Sequence, residues 1–349
     1  MEPIIEHIAD AAGIRTIRVA YAMSTREFAK EEPMQLDDGT DVTAGHRGSL
    51  PGLLGNLDRY NRAQGTWRTA PDITVGLIVV DDNVPERDFS DLSIPIHVEP
   101  SSAFASIKVP RSGDPAERMT AIQRKAQAKI EYEQRLLGVL RAYEIDIVVA
   151  DRYMRVLSDA FLQEYLGLAL NTHPARLPGL EGKTPTRDAM ERALRTGYRY
   201  HGNTFHIVDN QIDHGPPLTQ EEVTPIYPKS DTLAMLRRRN RENETQNICA
   251  GLVGYLRDPQ VHSLIALHRR LAQANGDRET VLRTMAGLRE DIIHGYRRLF
   301  SLNLEMQKKE PCPEGTYKYN AFMLKDRIGQ KAEAARREAR PRAPMMRAL

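Results

Sequence analysis

A chain of 349 residues is long enough to bury a substantial core, in one large domain or in two smaller ones. Its apolar share of 41% and charged share of 28% are typical of a water-soluble protein, and no apolar run reaches the roughly 20 residues of a membrane-spanning helix. The net charge of +2 argues against a general nucleic-acid-binding surface, and the acidic N-terminus lacks the basic start of a signal peptide, so we expect a cytoplasmic protein.

Three β-branched runs predict strands in the first part of the chain, at residues 16–22, 73–80 and 145–150. Their nearly continuous hydrophobicity is typical of parallel strands that are covered on both faces. Apolar residues at helical spacing predict a helix over 116–142, which leads into the third strand as in a β-α-β crossover. The polar, turn-rich stretch 24–52 is long for a loop, and we interpret it as an insertion.

The middle of the chain continues this alternation of strands and helices. A helix is predicted from a Ser158 cap to about residue 166, followed by a strand over 168–173. A second helix over 186–196 precedes an alternating strand over 202–208. We therefore expect an α/β fold with an open, mostly parallel, Rossmann-like sheet.

After residue 230 the pattern changes from strands to helices. The sequence predicts helices over 231–257, 261–274 and 279–307 and no further strand. The predicted organisation is an α/β domain at 1–229, a C-terminal helical extension at 230–325 and a flexible basic tail at 326–349.

Polar side chains follow the predicted strands at the edge where open parallel sheets bind their ligands. Asn171 and His173 lie at the end of the strand 168–173, and the segment 154–157 follows the strand 145–150. Because consecutive strands of β-α-β units usually lie close together, we expect both segments to border one cleft. Asp213, in the turn after the alternating strand, adds a carboxylate.

An amide, an imidazole and a carboxylate together suit acyl transfer through a tetrahedral intermediate. The amide and the imidazole can both donate to an oxyanion, and the carboxylate can orient or move protons. No covalent nucleophile is required, and no serine or cysteine elbow motif occurs. Structural roles stay open for each residue, since Asn171 can be a turn residue, His173 a satisfied polar group and Asp213 part of an Asx-turn.

A metal site is the less favoured interpretation. His201, His206, Asp213 and His214 lie close in sequence, but their spacing has no recognised ligand register. The two cysteines are far apart and predict neither a thiolate metal site nor a disulfide framework. We expect no metal.

Several linked motifs, in the same order, resemble the folate-dependent formyltransferase family. The resemblance is good over roughly residues 115–225 and loose over the first strands. The motifs are 153–158, 171–179, Gly182 with Arg187, 201–208 and 212–216.

The resemblance implies a donor, a catalytic trio and two pterin-binding loops. The donor would be 10-formyltetrahydrofolate, and an amine of the second substrate would attack its formyl carbon. Asn171 and protonated His173 would hold the oxyanion, while Asp213 would orient His173 and relay a proton. The residues implied to bind the pterin are Met154, Arg155, Val156, Leu157, Asp209, Asn210, Gln211 and Ile212.

The acceptor is expected to be a small-molecule amine. The family's phosphate-cradling Gly-Ser-Asn loop after the first strand is missing, and the nearest candidate at 47–50 comes late and lacks the Asn. No nucleic acid or membrane partner is expected, and a homodimer through the C-terminal helices stays open. Two alternatives remain: a formyltetrahydrofolate deformylase that uses water as the acceptor, and a non-catalytic folate-binding protein.

Overall fold

The computed structural model describes residues 13–24, 34–35, 41–42, 49–64, 70–81, 89, 91–151, 153, 155–177, 186–273 and 277–338. The strands are β1 (Thr16–Met23), β2 (Met34–Gln35), β3 (Asp41–Val42), β4 (Asp72–Val80), β5 (Ile96–Val98), β6 (Ile147–Asp151), β7 (Ala169–His173), β8 (Tyr200–Ile207), β9 (Pro217–Pro225) and β10 (Tyr317–Asn320). The helices are α1 (Leu50–Ala63), α2 (Ser102–Ala105), α3 (Pro115–Ala142), α4 (Asp159–Tyr165), α5 (Thr186–Thr196), α6 (Leu233–Tyr255), α7 (Pro259–Gln273), α8 (Arg278–Lys309) and α9 (Ala321–Glu338).

One 8-stranded sheet organises the described chain, in the order β10-β9-β8-β7-β6-β1-β4-β5. The strands from β7 to β5 pair in parallel, whereas β8, β9 and β10 continue the sheet with antiparallel pairing. The predicted α/β fold with an open, mostly parallel sheet and C-terminal helices is confirmed.

Burial explains why the central strands are apolar along their whole length. β6 is buried at every residue, because helices cover both faces of the sheet and neighbouring strands pair with both of its edges. Helix α4, which connects β6 to β7, begins at its predicted cap. Ser158 caps α4 by accepting from the backbone N–H of Phe161 at 3.3 Å, as the sequence predicted.

The C-terminal region contains three predicted helices, and these correspond to α6, α7 and α8. The prediction that no strand follows residue 230 is wrong, since β10 pairs with the edge of β9. β10 has four residues, of which Tyr317 and Tyr319 are buried, and so short an alternation carries little periodic signal. The division at residue 229 stays a prediction.

The described parts of two other predicted segments have regular structure. Within 24–52, β2 and β3 pair with each other and α1 begins at Leu50. The predicted flexible tail at 326–349 is helical as far as Glu338, and its remaining residues lie outside the described part. No helix in the described ranges is long and apolar enough to cross a membrane.

Candidate active site

Strand β7 directs Asn171 and His173 to one face of the sheet and Thr172 to the other, because side chains alternate along a strand. β7 pairs with β6 on one side and with β8 on the other, so its carboxyl end lies inside the sheet. His173 is 6% exposed. Its Nε2 makes no hydrogen bond within the described part of the chain.

Asp213 reaches this face from the loop between β8 and β9. Its Oδ2 lies 3.4 Å from His173 Nδ1, and its Oδ1 lies 3.9 Å from His206 Nε2. Asp213 has a backbone φ of 58°, in the left-handed region that non-glycine residues seldom adopt. The fold thus brings the side chains of Asn171, His173 and Asp213 together, whereas their catalytic roles stay a prediction.

His206 lies between Asn171 and Asp213. The sequence did not predict this position. The Nδ1 of His206 lies 2.9 Å from the Ile207 carbonyl, to which it donates, so the neutral ring keeps a lone pair on Nε2. Asn171 Nδ2 lies 3.2 Å from that Nε2 and donates to it. The same amide group has a second N–H, which can donate to another acceptor. The pairing of Asn171 with His206 across the two strands could not be predicted without the register of β8.

Burial favours the neutral form of two of the nearby histidines. It lowers the pKa of His206 despite the opposing hydrogen bond to the Ile207 carbonyl and the nearby Asp213 charge. Burial likewise lowers the pKa of His201 to about 4, against a hydrogen bond to the Pro174 carbonyl. A neutral His206 can accept from Asn171, and a protonated one cannot.

An ion pair with a buried carboxylate anchors the loop after β6. Arg155 Nε donates to the buried Asp81 Oδ2 at 2.8 Å, so its guanidinium is already paired within the protein. Leu157 packs against the core, and Val156 is 54% exposed. Met154, the fourth residue implied to bind the pterin, lies outside the described residues.

The loop after β8 has one buried anchor and an exposed turn. Asp209 is buried, and its Oδ1 accepts from the backbone N–H of Gln211 at 2.9 Å. Asn210 and Gln211 are exposed, and Ile212 is 50% exposed. Among the described residues, each of the two loops therefore presents one exposed aliphatic side chain, which suits the face of a flat ring system.

The opposite face of the same strand ends carries a buried acidic network that the sequence analysis missed. Thr172 Oγ1 lies 3.2 Å from Asp151 Oδ1 and 3.3 Å from Glu244 Oε1. Asp151 also accepts from the Tyr21 hydroxyl and, at 2.9 Å, from the backbone N–H of Ser49 at the start of α1. A carboxylate thus already occupies the positive end of this helix.

Metal ligation does not fit the described side chains. Both ring nitrogens of His206 are engaged by the Ile207 carbonyl and the Asn171 amide. Among the described residues, no group of three or more His, Cys, Asp or Glu side chains is placed to hold a metal ion.

Comparison with known proteins matches the segment that contains this site. Residues 96–252 match the formyl transferase family. The chain is 34% identical over 111 residues to the phosphoribosylglycinamide formyltransferase of Bacillus subtilis, which covers 32% of this chain and 54% of the relative. It is 43% identical over 90 residues to the Mycobacterium tuberculosis enzyme of the same name, covering 26% and 40% of the two chains.

The chain is also similar to one larger protein and to one solved structure. The human trifunctional purine biosynthetic protein adenosine-3 is 34% identical over 151 residues, which is 43% of this chain and 14% of that protein. The crystal structure of the Brucella melitensis phosphoribosylglycinamide formyltransferase aligns with a TM-score of 0.47 and 23% identity, over 70% of this chain and 97% of that one.

The matched parts span about half or less of these curated relatives' own lengths. The segment 96–252 includes the trio and both loops beside it. By these matches, this segment of the chain is similar to the formyl transferase family.

Proposed function

We propose that the protein transfers a formyl group from 10-formyltetrahydrofolate to an amine of a small-molecule acceptor. The observation that carries the proposal is the arrangement of the trio in a segment of the formyl transferase family. The buried Nε2 of His173 makes no hydrogen bond within the described chain, and its Nδ1 faces a carboxylate. This is the arrangement that an oxyanion donor needs.

The chemical step begins when the amine nitrogen attacks the formyl carbon of the donor. The carbonyl oxygen becomes an oxyanion, which the second N–H of Asn171 Nδ2 and the Nε2–H of protonated His173 stabilise. Asp213, 3.4 Å from His173 Nδ1, holds the imidazolium in this orientation. Both donors lie on the rigid strand β7, so they require little reorganisation during the reaction.

Product forms when the bond between the formyl carbon and N10 breaks. The attacking amine loses one proton and N10 gains one, so the net products are a formamide and tetrahydrofolate. Asp213 accepts the proton of the amine through water and passes it, again through water, to N10, while His173 remains paired with Asp213. No covalent bond to the protein forms at any step.

The two loops beside the trio are proposed to bind the pterin. The exposed side chains of Val156 and Ile212 offer apolar surface to its faces, while the loop backbone can hydrogen bond to its edges. Because Arg155 is paired with Asp81, we infer that its side chain anchors the loop and does not bind the ligand.

The acidic network disfavours an acceptor that would place a phosphate at the start of α1. Asp151 is fully buried and already accepts from the Ser49 N–H at that helix end. An anionic group beside it would repel the carboxylate at low dielectric. The B. subtilis and M. tuberculosis relatives are named for phosphoribosylglycinamide, so this compound belongs in any acceptor panel.

The proposal is tested by incubating the protein with 10-formyltetrahydrofolate and a panel of phosphorylated and unphosphorylated amines. We expect tetrahydrofolate to form together with one formylated amine. Equal release of formate without any amine would indicate a deformylase. Binding of a folate analogue without turnover on any amine would indicate a folate-binding protein.

Replacing either predicted oxyanion donor should slow the reaction. Asn171→Ala and His173→Ala should each lower kcat at saturating donor by at least about a hundredfold, since one such donor contributes about 2.7–4 kcal/mol to transition-state stabilisation. The matched controls are Gln123→Ala and His294→Ala, which remove an exposed amide and an exposed imidazole. Near-wild-type turnover in either site variant contradicts the assignment.

A further inference from the structure

Helix α8 contacts both loops that leave the trio, although it lies outside the matched segment 96–252. Arg297 contacts the loop that carries Asp213, and Gln307 contacts the loop that follows His173. The two positions are ten residues apart, which corresponds to about 15 Å along a helix. One rigid element therefore contacts the chain on both sides of the His173–Asp213 pair.

The first contact is an ion pair at the start of the Asp213 loop. Arg297 Nη2 donates to Asp209 Oδ2 at 2.6 Å, and the Asp209 side chain is only 5% exposed. The other oxygen of the same carboxylate accepts from the Gln211 N–H and so shapes the turn that leads to Asp213. Arg297 thus holds Asp209 in place, and the Asp209 carboxylate defines this turn.

The strained conformation of Asp213 explains why such an anchor matters. A non-glycine residue seldom adopts a φ of 58° and keeps it only where its surroundings hold it. The far end of the loop is held because Gly215 packs on the Ile207 carbonyl, where an added Cβ would lie 1.7 Å from the oxygen. Asp209, held by Arg297, anchors the near end.

The second contact holds the loop after β7. Arg176, three residues after His173, donates to Gln307 Oε1 at 3.0 Å and to Glu222 Oε2 at 2.9 Å. Its guanidinium carbon lies 3.8 Å from the centre of the Tyr317 ring. These partners come from β9, β10 and α8, so the C-terminal region fixes the path of the chain beyond His173.

We propose that α8 is a positioning element of the active site, which acts through Arg297 on Asp213 and through Gln307 on the loop after His173. This inference rests on the proposed function. A helix outside the matched segment would then set the geometry of the trio. A displacement of about 1 Å in a reacting group is enough to lower a rate about a hundredfold.

The kinetic test compares Arg297→Met with Arg298→Met, an exposed neighbour on the same helix. We expect Arg297→Met to lower kcat by about 10- to 100-fold with KM for donor and amine within about twofold, because positioning acts mainly on the transition state. Arg297→Lys should recover part of the loss, since it keeps the charge. A kcat for Arg297→Met equal to that of Arg298→Met overturns the inference.

Amide hydrogen exchange tests the same inference without turnover. We expect Arg297→Met to accelerate exchange over 208–216 and Gln307→Leu to accelerate it over 174–177, with α6 unchanged in both. Unchanged exchange in these loops overturns the inference. An inactive wild-type protein whose loops respond as expected would contradict the proposed function and leave the positioning role of α8 supported.

Discussion

Hydrogen bonds at single residues decide which atoms of the site can meet a substrate. The Ile207 carbonyl takes the Nδ1–H of His206, so only Nε2 can accept from Asn171. If the Asn171 amide were reversed, its oxygen would face the lone pair on Nε2 and an acceptor would point to the cleft. His206 therefore orients the Asn171 amide.

Removing His206 should lower the rate only through Asn171. His206→Phe should lower kcat at least about tenfold, and His206→Gln, which keeps an acceptor, should lower it less. The double variant Asn171→Ala/His206→Phe should be no slower than Asn171→Ala alone, because the two residues act as one unit. Steady-state kinetics of the four proteins measure this, and additive losses would contradict the positioning role.

His201 should make the folded state sensitive to acid. Its pKa is about 4 when folded and about 6.5 when unfolded, so the unfolded chain binds more protons between these values. The free energy of unfolding contributed by neutral His201 is thus present above pH 6.5 and falls as the pH decreases toward 4. From pH 7.5 to pH 4.5 the loss should be about 2–3 kcal/mol.

Urea unfolding at both pH values checks this expectation. His201→Asn removes the titrating ring and should lose less stability on acidification than the wild type. Because the lowered pKa values of His206 and His268 act with the same sign in both proteins, the difference between the two isolates His201. Equal losses would show that His201 is not buried neutral.

At the scale of elements, close packing of helices on the sheet limits which residues they tolerate. On α6, a Cβ added to Gly251 would lie 2.4 Å from the Phe205 ring and 2.8 Å from Thr219 Oγ1. Both partners are strand residues that face the helix. Glycine at this position lets α6 approach β8 and β9.

A pair of glycine substitutions should therefore shift stability in opposite directions. Gly251→Ala should lower the free energy of unfolding by about 1–3 kcal/mol, because the strand side chains have to move. Gly287→Ala, in α8 with nothing within 4 Å of the added Cβ, should raise it by about 0.5–1 kcal/mol. Chemical denaturation measures both, and a stabilised Gly251→Ala protein would contradict this packing.

At the scale of the whole molecule, strands and C-terminal helices share one hydrophobic core. The same buried cluster contains Phe205 from β8, Leu252 from α6 and Ile292 from α8. The edge strand β10 also extends the sheet from beyond residue 310. Residues 1–229 would leave much of this cluster without its covering helices.

We expect one cooperative thermal transition for the full chain, with calorimetric and van't Hoff enthalpies in agreement. The physical reason is that neither side of residue 229 buries its apolar surface without the other. Differential scanning calorimetry measures the transition. Two separate transitions, or a stable proteolytic fragment that ends near residue 229, would favour independent domains.

Sequence patterns predicted those elements whose periodicity is long. Four strands of the parallel part, the helix 116–142 and the helices over 231–307 follow from hydrophobic spacing, and the loops at the strand ends follow from the parallel topology. The strands β5 and β9 were not predicted. β10 was missed because its four residues are stabilised by pairing with β9 and not by a pattern of their own. The Asp209–Arg297 contact joins residues 88 positions apart, which no local pattern can indicate.

The sequence by itself determined the α/β class, the polar strand ends and the resemblance to the formyltransferase family, because local periodicity and short motifs are properties of the chain alone. Only the tertiary structure decided that His206 orients Asn171, that Asp151 occupies the start of α1, and that α8 contacts the loops beside His173 and Asp213. These features depend on strand register and on helix packing across the sheet. Both are set by the burial of one shared core, which is a property of the whole fold.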